Sequence, residues 1–219
     1  MIVQIGGLLA DDTLASLRQA LGEEAAGFKP GAATAGWHAR PVKHNEQASG
    51  AAAAQAVAAV KDALGAHPVF NAVARPKALV GLLVSRYGPG MEYGTHVDNA
   101  MMNGIRTDLS FTVFLAPPEA YDGGELVIEA NDGEQPVKLA AGSAVVYPST
   151  SLHRVEQVTR GERLVVVGWV RSLVRRADQR EILFDLDQMI ASQRLGGDRA
   201  MLDRLMKCKA NLLRMWAED

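Results

Sequence analysis

Residues whose types and spacing could do chemistry are densest between Tyr87 and Arg106, in the run YGPGMEYGTHVDNAMMNGIR. His96 and Asp98 are separated by one residue. In an extended segment both side chains leave the same face and can close on one ion. A His-x-Asp pair is short enough that chance supplies about 0.3 copies in such a chain, so the pair needs a third donor and a context. His153 is the candidate, at the start of an apolar strand just after the turn Pro148-Ser149-Thr150-Ser151. Two imidazoles and a carboxylate bound on one face leave three coordination positions open, which suits iron(II) holding a bidentate organic acid together with dioxygen. A structural zinc would be closed by four ligands, and a hydrolytic zinc would keep one or two positions open.

An anionic co-substrate also needs an anchor. Arg163 follows the turn Gly161-Glu162 and opens the next strand. Antiparallel pairing of the His153 and Arg163 strands would bring its guanidinium fork near the His153 end, where it could hold a carboxylate. Asn99 and Ser149 are candidate partners for the second nitrogens of the two imidazoles. Ser110 and Thr112 share one strand face and line the pocket if that face points inward. Tyr93 and Tyr147 lie near proposed ligands, and Met101, Met102 and Asn103 could form a lid. His38 and His44 read as surface or partner-bonded histidines and His67 as a turn residue. Trp37 and Trp169 read as core aromatics, and Trp216 as the anchor of the last helix.

These side chains must be positioned by regular elements. A short strand is expected within Ile2 to Leu9, then a helix capped by Asp11 or Asp12, with Leu14, Leu17 and Leu21 at helical spacing and an end between Gly22 and Gly27. A Gly- and Pro-rich loop and strand follow, then an alanine-dense helix from Glu46 to Leu64. After Pro68 come short apolar runs bounded by Gly, Pro or Asp: Ala78 to Tyr87, Asp108 to Leu115, Glu125 to Glu129, Val137 to Leu139, Ser143 to Tyr147, His153 to Val158 and Arg163 to Arg171. Runs this short, joined by turns and not by helix-length crossovers, predict a double-sheet barrel or jelly roll. From Ala177 two helical stripes return, Ile182, Leu183, Leu186 and Ile190, then Met201, Leu202, Leu205 and Leu212. The expected class is mainly β with flanking helices (α+β), divided into residues 1–175 and a helical extension at 176–219.

Composition narrows the partners. A formal charge of -2 with both signs interspersed offers no basic field for nucleic acid. No run approaches the ~20 apolar residues of a membrane helix. The start MIVQIGGLLADD lacks a basic leader, which gives a soluble, cytoplasmic expectation. Cys208 is the single cysteine, which rules out an internal disulfide and a cysteine-based metal site.

Taken in order, Tyr87-Gly88-Pro89-Gly90, Tyr93, His96-Val97-Asp98-Asn99, Asp122-Gly123-Gly124-Glu125-Leu126, Gly142-Ser143-Ala144-Val145, His153-Arg154-Val155 and Arg163 resemble the iron(II)- and 2-oxoglutarate-dependent dioxygenases of the prolyl 4-hydroxylase type. The tail Arg180-Glu181-Ile182-Leu183-Phe184-Asp185-Leu186-Asp187 narrows the resemblance to the bacterial PKHD-type hydroxylases. The resemblance implies a double-stranded β-helix, iron held by His96, Asp98 and His153, and the distal carboxylate of 2-oxoglutarate held by Arg163 with Tyr87 beside it. It also implies dioxygen as oxidant, release of succinate and carbon dioxide, and ascorbate (vitamin C) as an optional addition. The substrate is a peptidyl prolyl or lysyl residue, an amino acid or an iron-related metabolite. The C-terminal helices are a candidate homodimer surface. A non-catalytic sensor that binds metal and 2-oxoglutarate, and a hydrolytic metalloenzyme, are the other readings of the same residues.

Overall fold

The computed structural model describes residues 1–22 and 26–218. In chain order the elements are β1 (Val3–Ile5), α1 (Asp11–Gly22), β2 (Phe28–Pro30), β3 (Lys43–His44), β4 (Glu46–Ala48), α2 (Ala51–Ala66), α3 (Pro68–Ala74), β5 (Pro76–Tyr87) and β6 (Glu92–His96). Then come β7 (Met101–Met102), β8 (Ile105–Arg106), β9 (Leu109–Phe114), β10 (Tyr121–Gly123), β11 (Leu126–Ala130), β12 (Gly133–Val137), β13 (Ala144–Pro148), β14 (His153–Val155) and β15 (Val158–Gly161). The long strand β16 (Arg163–Ser172) and the helices α4 (Ala177–Arg194) and α5 (Arg199–Trp216) complete the chain.

Two antiparallel sheets form the core of a jelly roll, one of seven strands in the order β1-β13-β9-β16-β5-β4-β2 and one of five in the order β12-β11-β14-β6-β3. The central strands of the larger sheet are apolar on both faces: all six residues of β9 are buried, and so are most of β16. One face meets the helices and the other meets the smaller sheet. On the helical side α2 packs against β5 and β16. Its buried residues Ala53, Ala56, Val60 and Leu64 recur every three or four positions. Alanine at two of them lets the helix approach the sheet closely. Leu14, Leu17 and Leu21 of α1 are buried as their spacing requires; the expected helix end runs on into residues 23–25, which lie outside the described residues.

Several boundaries differ from the sequence reading. Glu46 to Ala48 form a strand, and the alanine-rich helix starts only after Gly50. The apolar run after Pro68 opens with a helix, α3, because Pro68 sits in its first turn and the His67 ring accepts from Phe70 N–H. His67 is thus a helix cap. The run expected at Val137 to Leu139 ends a strand at Val137, since Gly133 to Val137 pairs in a hairpin with β11. His153 to Val158 splits into β14 and β15, which join different sheets.

The C-terminal helices pack on each other, and α4 packs on α3. Of the expected stripe on α4, Leu183 and Ile190 are buried, whereas Ile182 is 46% exposed. Among the described residues α5 has no fully buried side chain. Among the described residues no helix is long and apolar enough to cross a membrane.

Candidate active site

A cavity of about 540 Å³ opens between the two sheets. β6 ends at His96, β14 starts at His153, and the two strands pair directly with these residues opposite each other. The ring centroids are therefore 4.2 Å apart. Asp98 follows β6 by two residues and places Oδ2 3.7 Å from His153 Nε2. One donor atom from each of His96, Asp98 and His153 lies within 4.8 Å of the others.

The second contacts of these side chains set their donor state. His96 Nδ1 lies 2.8 Å from the Gly94 carbonyl and His153 Nδ1 lies 3.1 Å from the Ser151 carbonyl. A carbonyl only accepts, so each Nδ1 carries a proton, which leaves Nε2 as the position that could meet a metal. Backbone therefore takes the place expected for Asn99 and Ser149 as imidazole partners. Ser149 instead shares a 2.9 Å hydrogen bond with Ser110, whose hydroxyl donates to Asp98 Oδ2 at 2.6 Å. The His96 imidazole is lowered to about 4, first by burial and next by repulsion from His153, while the Gly94 bond and Asp98 oppose the shift. At neutral pH it is an uncharged donor. Tyr93 stacks on it with centroids 3.6 Å apart, and Tyr147 meets the His153 ring edge-on at 5.1 Å.

The opposite wall is the seven-stranded sheet. Arg163 does not reach the site by pairing beside His153, because β14 and β16 belong to different sheets. It approaches across the cavity, paired in register with Tyr87. The guanidinium is 1% exposed and lies 5.1 Å from the centre of the Tyr87 ring and 5.6 Å from that of Phe114. Its Nε and Nη1 are buried without a hydrogen-bond partner. Room for the side chain depends on Gly124, where an added Cβ would lie 3.1 Å from Arg163 Cδ and 2.9 Å from Val158. Burial raises the Tyr87 and Tyr147 hydroxyls above their ordinary range, and the nearby Arg163 charge opposes the shift. Both stay neutral donors. The Tyr87 hydroxyl bonds to Ser85 and Asn45, and that of Tyr147 to Thr112. Ser110 and Thr112 thus point inward, together with Tyr93, Tyr147, Met101 and Met102.

The donor set fits a mononuclear metal with open positions, and the orphaned guanidinium fits a carboxylate. His38 and His44 lie outside the cluster, His44 facing Glu92 at 3.9 Å. The two tryptophans depart from the sequence reading. Trp37 is 86% exposed beside a second cavity of about 410 Å³ that shares Val97, Asp98 and Asn99 with the first. Trp169 lines the main cavity, because regular alternation along β16 puts it on the same face as Arg163 and Val167 and opposite Ser110 of β9, and its Nε1 is buried without a partner. Lys43, Asn45 and Gln47 also line the cavity and were not anticipated from the sequence. Their alternation in KHNEQ was the available signal.

Known proteins match over this whole architecture. The 2OG-Fe(II) oxygenase superfamily model matches residues 82–171, which include His96, Asp98, His153 and Arg163, and the PKHD-type hydroxylase C-terminal domain model matches residues 178–218. A PKHD-type hydroxylase of Maricaulis maris is 53% identical and one of Parvibaculum lavamentivorans 50% identical, each over 100% of both chains. Among solved structures, a Pseudomonas putida prolyl-4-hydroxylase superposes with a TM-score of 0.56 at 24% identity, covering 78% of this chain and 92% of that one. A Trichoplax adhaerens prolyl hydroxylase bound to a hypoxia inducible factor peptide gives 0.59 at 12% identity, covering 83% and 86%. The structural matches carry the jelly-roll fold, and the full-length identity carries the family. The chain belongs to the PKHD-type hydroxylases, enzymes of the iron(II)- and 2-oxoglutarate-dependent oxygenase superfamily.

Proposed function

We propose that the protein hydroxylates an unactivated C–H bond, with His96, Asp98 and His153 as iron ligands and Arg163 as the anchor for the distal carboxylate of 2-oxoglutarate. The observation that carries this reading is a buried, partnerless guanidinium facing a His, Asp, His cluster across one cavity. Iron(II) and 2-oxoglutarate, when bound, would activate dioxygen, the oxidant, with 2-oxoglutarate supplying two of its four electrons and leaving as succinate and carbon dioxide. The chain's part is positioning. The Gly94 and Ser151 carbonyls fix the imidazole tautomers, and Ser110 orients the Asp98 carboxylate. Tyr87 packs against the guanidinium and bounds the co-substrate end. The inward faces of both sheets keep water from the reacting centre.

The substrate classes are a peptidyl prolyl or lysyl residue, a free amino acid and an iron-related metabolite. The peptide class draws support from the prolyl hydroxylases that share the fold. Ascorbate as an added reductant and a cytoplasmic location belong to the same proposal. So does a homodimer through α4 and α5, supported by exposed Met189, Met201 and Met215 and read by sedimentation equilibrium. The decisive experiment follows succinate release from 2-oxoglutarate with iron(II) under air, with and without candidates of the three classes. Asp98→Ala should abolish release. Full 2-oxoglutarate turnover in that variant would overturn the ligand assignment, and binding without consumption in the wild type would favour a sensor.

A further inference from the structure

The segment 43–47 closes one side of the cavity by crossing from the small sheet to the large one. Lys43 on β3 pairs with Tyr93 of β6, and Gln47 on β4 pairs with Ser85 of β5. Lys43 is only 8% exposed. Its ammonium donates to Thr34 Oγ1 at 2.9 Å and lies 5.1 Å from the centre of the Tyr93 ring, and among the described residues no carboxylate forms an ion pair with it. Two of its three protons are thus left for another acceptor. The Gln47 side-chain nitrogen is likewise buried with no partner.

A buried ammonium without a counter-ion is costly, and such groups persist mainly where function needs them. Burial lowers Lys43 to about 8, with the charge of Asp98 opposing. That carboxylate is committed elsewhere on the reading given above. Among the described residues Asp98 is the only acid lining the cavity, and Lys43 and Arg163 are its only Lys or Arg residues. With iron(II) and 2-oxoglutarate in place, the two charges of the metal and the one of Arg163 are matched by Asp98 and the two co-substrate carboxylates. Lys43 is then the one charge left over. It also lies on the metal side of the cavity, since its ammonium stands 5.1 Å from the centre of the Tyr93 ring that stacks on His96, while the Arg163 guanidinium packs over Tyr87 and Phe114.

Resting on the oxygenase reading, we propose that Lys43, assisted by the Gln47 amide, receives a carboxylate of the substrate, so that the molecule hydroxylated here is an anion held beside the metal. Lys43 is in these terms a specificity-determining residue. A neutral internal peptide segment would leave its charge unanswered, whereas an amino acid, a peptide with a nearby acidic group or a carboxylate-bearing metabolite would satisfy it.

The test uses the full chain loaded with manganese(II) and saturated with 2-oxoglutarate, and two probes, N-acetylglycinate and its neutral amide N-acetylglycinamide. Paramagnetic relaxation of the probe methyl protons reports occupancy near the metal. The carboxylate probe should be relaxed saturably and the amide should not. Lys43→Met should weaken carboxylate binding about tenfold or more, the loss expected for a hydrogen bond to a charged group, while Lys43→Arg retains most of it. Calorimetry with 2-oxoglutarate, run separately on the manganese-loaded wild type and Lys43→Met, should give equal affinities. Equal relaxation by the two probes, an unchanged carboxylate affinity in Lys43→Met, or a selective loss of 2-oxoglutarate binding in that variant overturns the proposal. A wild type that fails to bind 2-oxoglutarate in the calorimeter overturns the underlying oxygenase reading instead.

Discussion

At the scale of single residues, Lys43 carries a cost that a pH titration of stability can expose. Its folded-state value is about 8 against an ordinary 10.5, because burial penalises the charged form. Between those values the unfolded chain holds a proton that the folded chain has released, so stability rises with pH across the window. In the metal-free protein the gain from pH 7 to pH 10 should be on the order of 2 kcal/mol relative to Lys43→Met, read by urea unfolding at each pH. The buried hydroxyls of Tyr87, Tyr93, Tyr121 and Tyr147 are raised, so above their ordinary value near 10.0 the unfolded chain ionises first and stability falls again. A flat difference between wild type and variant from pH 7 to pH 10 would contradict the burial of this charge. At this scale the sequence was informative where chemistry restricts residue type. His96, Asp98, His153 and Arg163 could be singled out because metal and carboxylate binding admit few side chains. Lys43 and Gln47 were missed, because the alternation in KHNEQ puts them on one face without telling whether that face is the buried one.

At the scale of elements, the site depends on how β5 and β16 meet. Val167 pairs with Leu83 and Trp169 with Val80, so Gly168 alone opposes Leu82 and Gly81. The extra residue is on β5, which sets Gly81 against the Trp169 ring, while β16 keeps regular register with β9 and carries Arg163, Val167 and Trp169 on its cavity face. Gly81 has φ +64°, and a Cβ there would lie 3.1 Å from the Trp169 ring and 3.5 Å from Met102 Sδ. Gly81→Ala should therefore destabilise the protein by about 1–3 kcal/mol, through backbone strain and crowding together. It should also change tryptophan fluorescence while leaving 2-oxoglutarate affinity intact, since Arg163 sits at the opposite end of β16. Denaturation and calorimetry on the same variant separate the two effects, and a loss of co-substrate binding would refute this division of the strand. The apolar runs predicted most strands, but pairing was harder to read. Local periodicity places residues on a face without naming the neighbouring strand, so Arg163 was expected beside His153 and instead faces it from the other sheet. Trp169 was taken for core because alternation places it on the inner face with Val165 and Val167 without telling a packed interior from the wall of a cavity. The short strands β3 and β4 are held by pairing with the longer β6 and β5, and β2 in turn by β4, which local pattern does not record.

At the scale of the whole molecule, the question is how residues 176–219 relate to the jelly roll. We treat them as an extension with its own sequence signature, fastened to the core at two places. Near one, Val174 bridges to Ala217, and Glu218 reaches Arg106 at 2.6 Å, at the foot of the β7–β8 hairpin that brings Met101 and Met102 to the cavity. At the other, Arg75 closes α3 in a left-handed conformation with φ 43°, and its side chain, 8% exposed, donates to Asp187 Oδ2 of α4 at 2.7 Å. Lys209 of α5 binds the same carboxylate. One acid thus neutralises a nearly buried arginine of the core and ties both extension helices to it. Removing it leaves Arg75 buried with its charge unanswered, which costs far more than breaking a surface pair. Asp187→Asn should accordingly lower stability by about 3 kcal/mol, measured by chemical denaturation. Arg75→Met in the same background should recover much of that loss, because the orphaned charge goes with it. A chain cut after residue 175 would suffer the same loss and also uncover the faces that bury Leu183 and Ile190, so it should unfold at a lower temperature than Asp187→Asn. If the truncated chain were instead as stable as the full one, the extension would be a passenger on a self-sufficient oxygenase domain, and the ion pair at Asp187 would contribute nothing to the fold.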